Sequence, residues 1–428
     1  MNVIAASDRV RLVGLYRGGW DPSTELRSNV ETILADVRVR GDAALVDYTR
    51  RFDDPSYDRA KLRVPIPMLP HARELVPPEI AEAVELAKQR VGRFHERQRH
   101  ADLTYVDEDG TRYGFRYRPL DSIAAYVPGG SAVLPSSVIM SVVPAKIAGV
   151  GRVIVLTPPQ KNGQIHPAIL YACSLCDVDE LYAVGGAQAI AGAAFGTESI
   201  APVDKIVGPG NMWVTEAKRQ VFGVCAIDGL AGPSEVLVVA DEGANSEFVV
   251  GELLAQAEHD PVARVAVVSE SRPLLDAVAQ LLDTFDVPTL PRGEIIESVM
   301  EHSCYLIHAA NRKELFDVIE HFAPEHLSLQ VRDAEPYLAQ LRRVGAVFVG
   351  DMTPVASGDY LAGTNHVLPT SGAARFSSGL TLADFVRTFT VVENSRERML
   401  HDAPLLAAFA EFEGLPQHAQ TARMRSGA

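Results

Sequence analysis

From Arg152 to Val349 the chain repeats one pattern, a short apolar run followed by a longer segment with helical spacing. Val153–Thr157, Glu180–Val184, Lys205–Val207, Val236–Ala240, Val265–Ser269, Cys304–His308 and Ala346–Val349 read as strands buried on both faces. Ala168–Cys173, Ala187–Phe195, Asn211–Val221, Asn245–Glu258, Pro273–Leu282 and Lys313–His321 read as the helices between them. Strands that alternate with helices imply parallel sheets, because only a crossover can return the chain to start the next parallel strand, and its helix covers the sheet face. The rhythm breaks at Gly229–Pro233, so two α/β units are expected rather than one.

The flanks differ from this middle. Residues 1 to 120 read as mainly helical, with amphipathic spacing over Asn29–Val46 and Glu79–Gln98. Thr111–Pro119 alternates and Ser122–Val127 is a short apolar run, and both read as strands. After Leu380, Asp384–Glu393 and Asn394–Glu411 read as two helices ending at Gly414, a small helical appendage.

Charge excludes some functions. Lys and Arg total 40 against 55 Asp and Glu, a formal net charge of −15. Nucleic acid and anionic membrane both reward clustered positive charge, so neither is an expected partner. The most apolar stretch, Ser131–Val150, is broken by Pro135, Pro144 and Lys146, so no membrane span is expected. The N-terminus lacks a basic start followed by an apolar core, and four cysteines are too few for a disulfide scaffold. A reducing cytoplasm is the expected compartment. Cys173 and Cys176 form C-x-x-C without a second pair, and read as small buried apolar residues.

Several clusters could carry chemistry. Gln256 and His259 in LLAQAEHD are three apart and share a helix face, which suits either a metal site or a helix C-terminus favouring a histidine. Glu325 and His326 in FAPEHLSLQ stand where Pro324 ends a helix and a strand begins, either an acid–base pair or a surface charge pair. Asp359, Tyr360 and His366 lie in SGDYLAGTNHVLPTSG, which reads as a long functional loop. Glu413 and His418 straddle Gly414 and Pro416, which alone reads as a frayed tail. Gly129 and Gly130, Gly185 and Gly186, and Gly208 and Gly210 each mark a strand-to-helix turn that could present N–H groups to a phosphate. None fits G-x-G-x-x-G; the sixth position after Gly208 is Trp213.

Taken together and in order, YVPGG, LPSSVIMSVVPAKIAGV, VGGAQAIAGAAFGT, VDKIVGPGN, AGPSEVLVVAD, LLAQAEHD, APEHL, SGDYLAGTNHVLPTSGAARFSSGL and EGLPQHA resemble the histidinol dehydrogenase family. The resemblance implies an α/β fold with two related Rossmann-like domains of incomplete dinucleotide-binding topology, a helical C-terminal tail and a short N-terminal arm. It implies an arm over 1–17, a first domain over 18–125 and 235–378, an NAD-binding domain over 126–234 and a tail over 379–428. One Zn²⁺ per subunit would fall to Gln256, His259, Asp359 and His418. Catalysis would fall to Glu325 and His326, and NAD⁺ contacts to Tyr126, Gln188 and Asn211. Substrate contacts would fall to Ser234, Glu413 and His326, with the four metal ligands lining the same pocket. The family is a homodimer whose tail reaches the partner's site, so Glu413 and His418 would act in trans. The reaction implied is oxidation of histidinol to histidine through the aldehyde with two NAD⁺. Two departures are mild: Ala125 before Tyr126, and Gly229 where a larger apolar residue is usual. The rival reading is a paralogue oxidising another primary alcohol such as a sulfonated diol. Ser234 and Glu413 suit an amine and imidazole, whereas a sulfonate calls for cationic groups.

Overall fold

A computed structural model describes residues 2–16, 21–129 and 133–426. Gly130, one of the glycines singled out above, lies outside the described residues. The strands are β1 Val3–Ala5, β2 Arg63–Val64, β3 Leu103–Val106, β4 Arg112–Pro119, β5 Ser122–Tyr126, β6 Arg152–Thr157, β7 Glu180–Ala183 and β8 Lys205–Val207. They continue with β9 Ala226–Ile227, β10 Glu235–Ala240, β11 Arg264–Ser269, β12 Cys304–His308, β13 His326–Gln330, β14 Ala346–Val349 and β15 Val386–Glu393.

Two six-stranded sheets result, ordered β2-β7-β6-β5-β8-β9 and β1-β12-β11-β10-β13-β14. Without its outermost first strand, each has the same winding: the first strand of the unit is central, two are added on one side, and two on the other. This is the doubly wound order short of its sixth strand. The extra edge strand is antiparallel in the first sheet, where β2 pairs with β7, and parallel in the second, where β1 pairs with β12. The break at residues 228–234 separates the two units, as expected.

Alternation along each central strand divides the core. In β5, Ile123 and Ala125 join one cluster, with Val138, Val142 and Val84. Ala124 and Tyr126 join the other, with Val30, Ile190 and Val214. In β10, Val236 and Val238 face Val249 and Leu253, whereas Leu237 and Val239 face Leu315 and Phe322. Both sheets are therefore buried on both faces, which explains their near-continuous apolar strands.

The structure corrects four expectations. First, residues 18–125 do not group with 235–378: β5 lies centrally in the first sheet, and the helix Thr24–Arg40 packs on the helices Gly186–Phe195 and Met212–Val221. The apolar face of Thr24–Arg40, with Val30, Ile33 and Val37, is buried against helices that cover the first sheet. Second, the expected helix Asn29–Val46 is two helices, Thr24–Arg40 and Asp42–Phe52, divided by Gly41 at φ +55°. A Cβ there would meet Glu198 Oε2 at 2.3 Å, and that carboxylate accepts from the Asp42 N–H at 2.8 Å. Third, Val386–Glu393 is a strand, not a helix, paired antiparallel with β4 along its whole length. Its Thr388, Thr390, Val391 and Val392 are β-branched and favour the pleated conformation. Fourth, Pro416–Ser426, which the sequence alone reads as a frayed tail, forms a helix.

Candidate active site

The Glu325–His326 pair stands at the N-terminal end of β13, between the central strand β10 and the edge strand β14 of the second sheet. The helix Arg312–Phe322 ends with Ala323 in the left-handed region at φ +48°, and Pro324 prevents its resumption. Gly345 then packs against the chain so closely that a Cβ would lie 2.4 Å from the Glu325 carbonyl oxygen. That carbonyl accepts from the Ala346 N–H at 2.9 Å, so the Glu325 backbone is pinned.

Both side chains are buried, with 6% and 4% exposure, which removes the reading as a surface pair. Glu325 Oε2 accepts from the Glu235 N–H at 2.9 Å and lies 3.4 Å from His326 Nδ1. His326 Nδ1 lies 2.9 Å from the Glu235 carbonyl oxygen. A carbonyl only accepts, so Nδ1 carries the hydrogen and the neutral ring keeps its lone pair on Nε2. Burial opposes the charged ring, but the Glu325 carboxylate, followed by Asp359, outweighs it and raises the pKa to about 9. Any positive charge placed on Asp359 would withdraw part of that support and free Nε2 as a base nearer neutrality. Ser234 precedes β10 beside this pair; its carbonyl accepts from the Arg264 N–H at 3.0 Å.

One face of the helix Ser246–Ala257 carries Glu252 and, a turn later, Gln256. His259 follows just past the helix end, where its N–H donates to the Gln256 carbonyl at 3.3 Å. Glu252 accepts from the Val355 N–H with both oxygens, at 3.2 and 3.1 Å, and so caps the short helix Val355–Tyr360. Asp359 is therefore in a helix, not in the long loop expected; the buried Glu252 supplies the start that the sequence there lacks. The His366 ring, Nδ1 to the Asp359 carbonyl at 3.1 Å, holds the return of the chain. Asp359 is close enough to influence His326, Glu252 and Tyr360 electrostatically.

These residues fit a borderline cation only in part within one chain. Gln256 is 4% exposed, and among the described residues neither its amide nor the Asp359 carboxylate has a hydrogen-bond partner. The Gln256 amide is not among the fully buried polar groups that lack a partner, so it borders open space where a ligand could meet it. Among the described residues, however, no three His, Cys, Asp or Glu side chains come together as a metal cluster. His418 is exposed on the C-terminal hairpin, and so is Glu413, which ends the helix Arg396–Phe412. That hairpin packs largely on itself through Ala403, Ala407, Ala419 and Ala422. Its link to the body runs through β15 and contacts such as the Arg398–Asp109 ion pair. Leu405, Phe409 and Phe412 on it remain exposed.

A second group gathers at the C-terminal ends of the first sheet. Tyr126, the last residue of β5, accepts from the Gly186 N–H at 3.1 Å through its hydroxyl. Gln188 lies in the first turn of the helix Gly186–Phe195 and is 2% exposed. Asn211 caps the helix Met212–Val221, accepting from the Trp213 and Val214 N–H groups at 3.0 and 3.2 Å. Gly208, at φ +108°, would place a Cβ 2.2 Å from the Tyr126 carbonyl oxygen, and Gly185 would place one 2.5 Å from Pro158. Bare backbone and two helix starts thus form a cradle suited to a dinucleotide.

The family profile of histidinol dehydrogenase matches residues 20–426. The chain belongs to the histidinol dehydrogenase family. It is an oxidoreductase, a dehydrogenase by family. Histidinol dehydrogenase of Rhodospirillum rubrum is 44% identical over 416 residues, covering 96% of this chain and 95% of the relative. That of Geobacillus kaustophilus is 43% identical, covering 96% and 97%. The crystal structure of histidinol dehydrogenase from Elizabethkingia anophelis superposes with a TM-score of 0.93 at 34% identity, covering 99% of this chain and 98% of that one. Sequence reasoning passed over Glu235 and Glu252. Glu235 is the lone carboxylate of an apolar strand, and Glu252 stands within the apolar run of a helix whose other carboxylate, Glu247, is exposed in its first turn, a signal that could have marked them.

Proposed function

We propose that this chain oxidises L-histidinol to L-histidine through L-histidinal, the last steps of histidine biosynthesis, using two NAD⁺ and one Zn²⁺ per subunit. The observation that carries the reading is the buried Glu325–His326 pair, with Nε2 left as the accepting nitrogen by the Glu235 carbonyl. NAD⁺ would be held by Tyr126, Gln188 and Asn211, and Zn²⁺ by Gln256, His259, Asp359 and His418. When bound, the cofactor supplies a hydride acceptor and the metal a fixed charge that orients the amino alcohol.

The chain's own groups then move the protons. His326 Nε2 takes the alcohol proton as the carbon gives up its hydride, leaving the aldehyde. Glu325, whose Oε1 has no partner among the described residues, takes a proton from a water that adds to the aldehyde carbon, while His326 returns its proton to the aldehyde oxygen and is again neutral. His326 takes a proton from the resulting hydrate, the second hydride leaves, and the acid forms. Ser234 and Glu413 bind the substrate's polar groups.

The self-packed hairpin with its exposed apolar residues supports a homodimer in which Glu413 and His418 complete the partner's site. No helix among the described residues is long and apolar enough to cross a membrane, in keeping with a cytoplasmic enzyme. The test is to count NADH formed per histidinol consumed by the zinc-loaded protein. Two, lost on chelation and in His326→Ala, is the expected result. One would mean that the aldehyde escapes and Glu325 is misassigned, and none would favour the paralogue that oxidises another primary alcohol.

A further inference from the structure

We propose that Glu235 is a positioning residue for Glu325 and His326, and that its pairing with Arg264 braces the start of β10 against the N-terminal arm. The inference rests on reading Glu325 and His326 as the acid–base pair.

One residue's backbone holds both members of that pair. The Glu235 N–H donates to Glu325 Oε2 at 2.9 Å, and the Glu235 carbonyl fixes His326 Nδ1 at 2.9 Å. Any shift of Glu235 along or about β10 therefore moves the carboxylate and the imidazole together. Its side chain, fully buried, is anchored in turn. Glu235 pairs with Arg264 in register across β10 and β11, and its Oε1 accepts from the Ser371 N–H at 3.1 Å. The Arg264 guanidinium also donates to the Leu15 carbonyl at 3.1 Å and lies over the Phe322 ring, 5.7 Å from its centroid. Phe322 ends the helix that leads into Glu325. The arm, the incoming helix and the segment around Ser371 thus converge on one carboxylate.

A buried ion pair adds little net stability over well-packed apolar side chains, so stability alone does not account for one at this point. Fixed geometry does, because misplacing a catalytic group by about 1 Å can cost about a hundredfold in rate. Glu235 Oε2 is buried with no hydrogen-bond partner among the described residues, a cost consistent with a carboxylate retained for position.

The test uses the dimeric, zinc-loaded enzyme and compares Glu235→Gln with the double variant Glu235→Gln, Arg264→Met. The expected result for Glu235→Gln is a fall in kcat of about tenfold or more, with KM for histidinol within about twofold, since the metal and tail contacts are untouched. In the double variant no buried charge is left unpaired. The brace predicts that its thermal midpoint recovers while kcat stays low. Recovery of kcat together with stability would overturn the proposal, as would unchanged kcat in folded Glu235→Gln. Glu325→Gln and His326→Asn are measured alongside. If they keep normal turnover, the acid–base reading fails and the brace with it; if they lose it while Glu235→Gln does not, the brace alone fails.

Discussion

The two six-stranded sheets share a winding order and differ in which end is equipped for chemistry. In the first sheet the candidate cofactor residues follow the strands: Tyr126 ends β5, Gly185 and Gly186 follow β7, and Gly208 follows β8. In the second the candidate site residues precede or open them: Ser234 and Glu235 at β10, Glu325 and His326 at β13. At its opposite end the second sheet has no glycine cradle. There Asp241 and Glu242 follow β10, and the exposed pairs Arg332–Glu242 and Arg312–Glu270 line an open cavity of about 700 Å³. A shared topology thus leaves function open; local backbone approach decides one end, and buried carboxylates the other.

That contrast can be broken experimentally. The largest effect is expected at the opening of the second sheet, where Glu325→Gln or His326→Asn should lower turnover about 10²- to 10⁴-fold, with the fold intact by circular dichroism. Undiminished NADH production would move the chemistry elsewhere. The trans role of the tail comes next. Neither His418→Ala nor His326→Ala homodimers should turn over, but unfolding and refolding them together should restore activity in the mixed dimer, which carries one intact composite site. No recovery would place His418 in its own chain's site, or outside the site altogether.

At the first sheet, Gly208→Ala should destabilise the protein by about 1–3 kcal/mol in denaturant titration, because a side chain is strained at its positive φ. It should also raise KM for NAD⁺, as the new Cβ would press on the Tyr126 carbonyl. Gly229→Ala, with nothing within 4 Å of its added Cβ, is the matched control and should leave NAD⁺ binding intact. The smallest effect belongs to Arg332→Ala at the unequipped end of the second sheet. Its pair with Glu242 is exposed, so stability should change by less than about 1 kcal/mol and turnover not at all. A clear loss of activity there would mean that this end is used after all.

Much of the α/β frame could be read directly. Lys205–Val207, Cys304–His308 and Ala346–Val349 have the bounds expected from their apolar runs. The buried C-x-x-C cysteines are core residues, as their lack of a second pair implied. The errors lie where a distant partner outweighs the local pattern. Glu198 turns the chain at Gly41, β4 draws Val386–Glu393 into a strand, and Glu252 starts the helix that carries Asp359. In each case a hydrogen bond to a remote segment stabilises a conformation that nearest neighbours did not specify.

The sequence by itself determined the alternation of strand and helix, the division near residue 230, and the residue types able to bind, orient and move protons. Apolar periodicity and side-chain chemistry are local properties, and a reader of the chain can see them. Only the tertiary structure decided that one backbone unit, Glu235, fixes Glu325 and His326 together, and that the ring's accepting nitrogen is Nε2. It also placed His418 on a hairpin packed largely on itself. These facts depend on which strand ends meet across a sheet, and parallel pairing between segments about 90 residues apart leaves no mark in either segment alone.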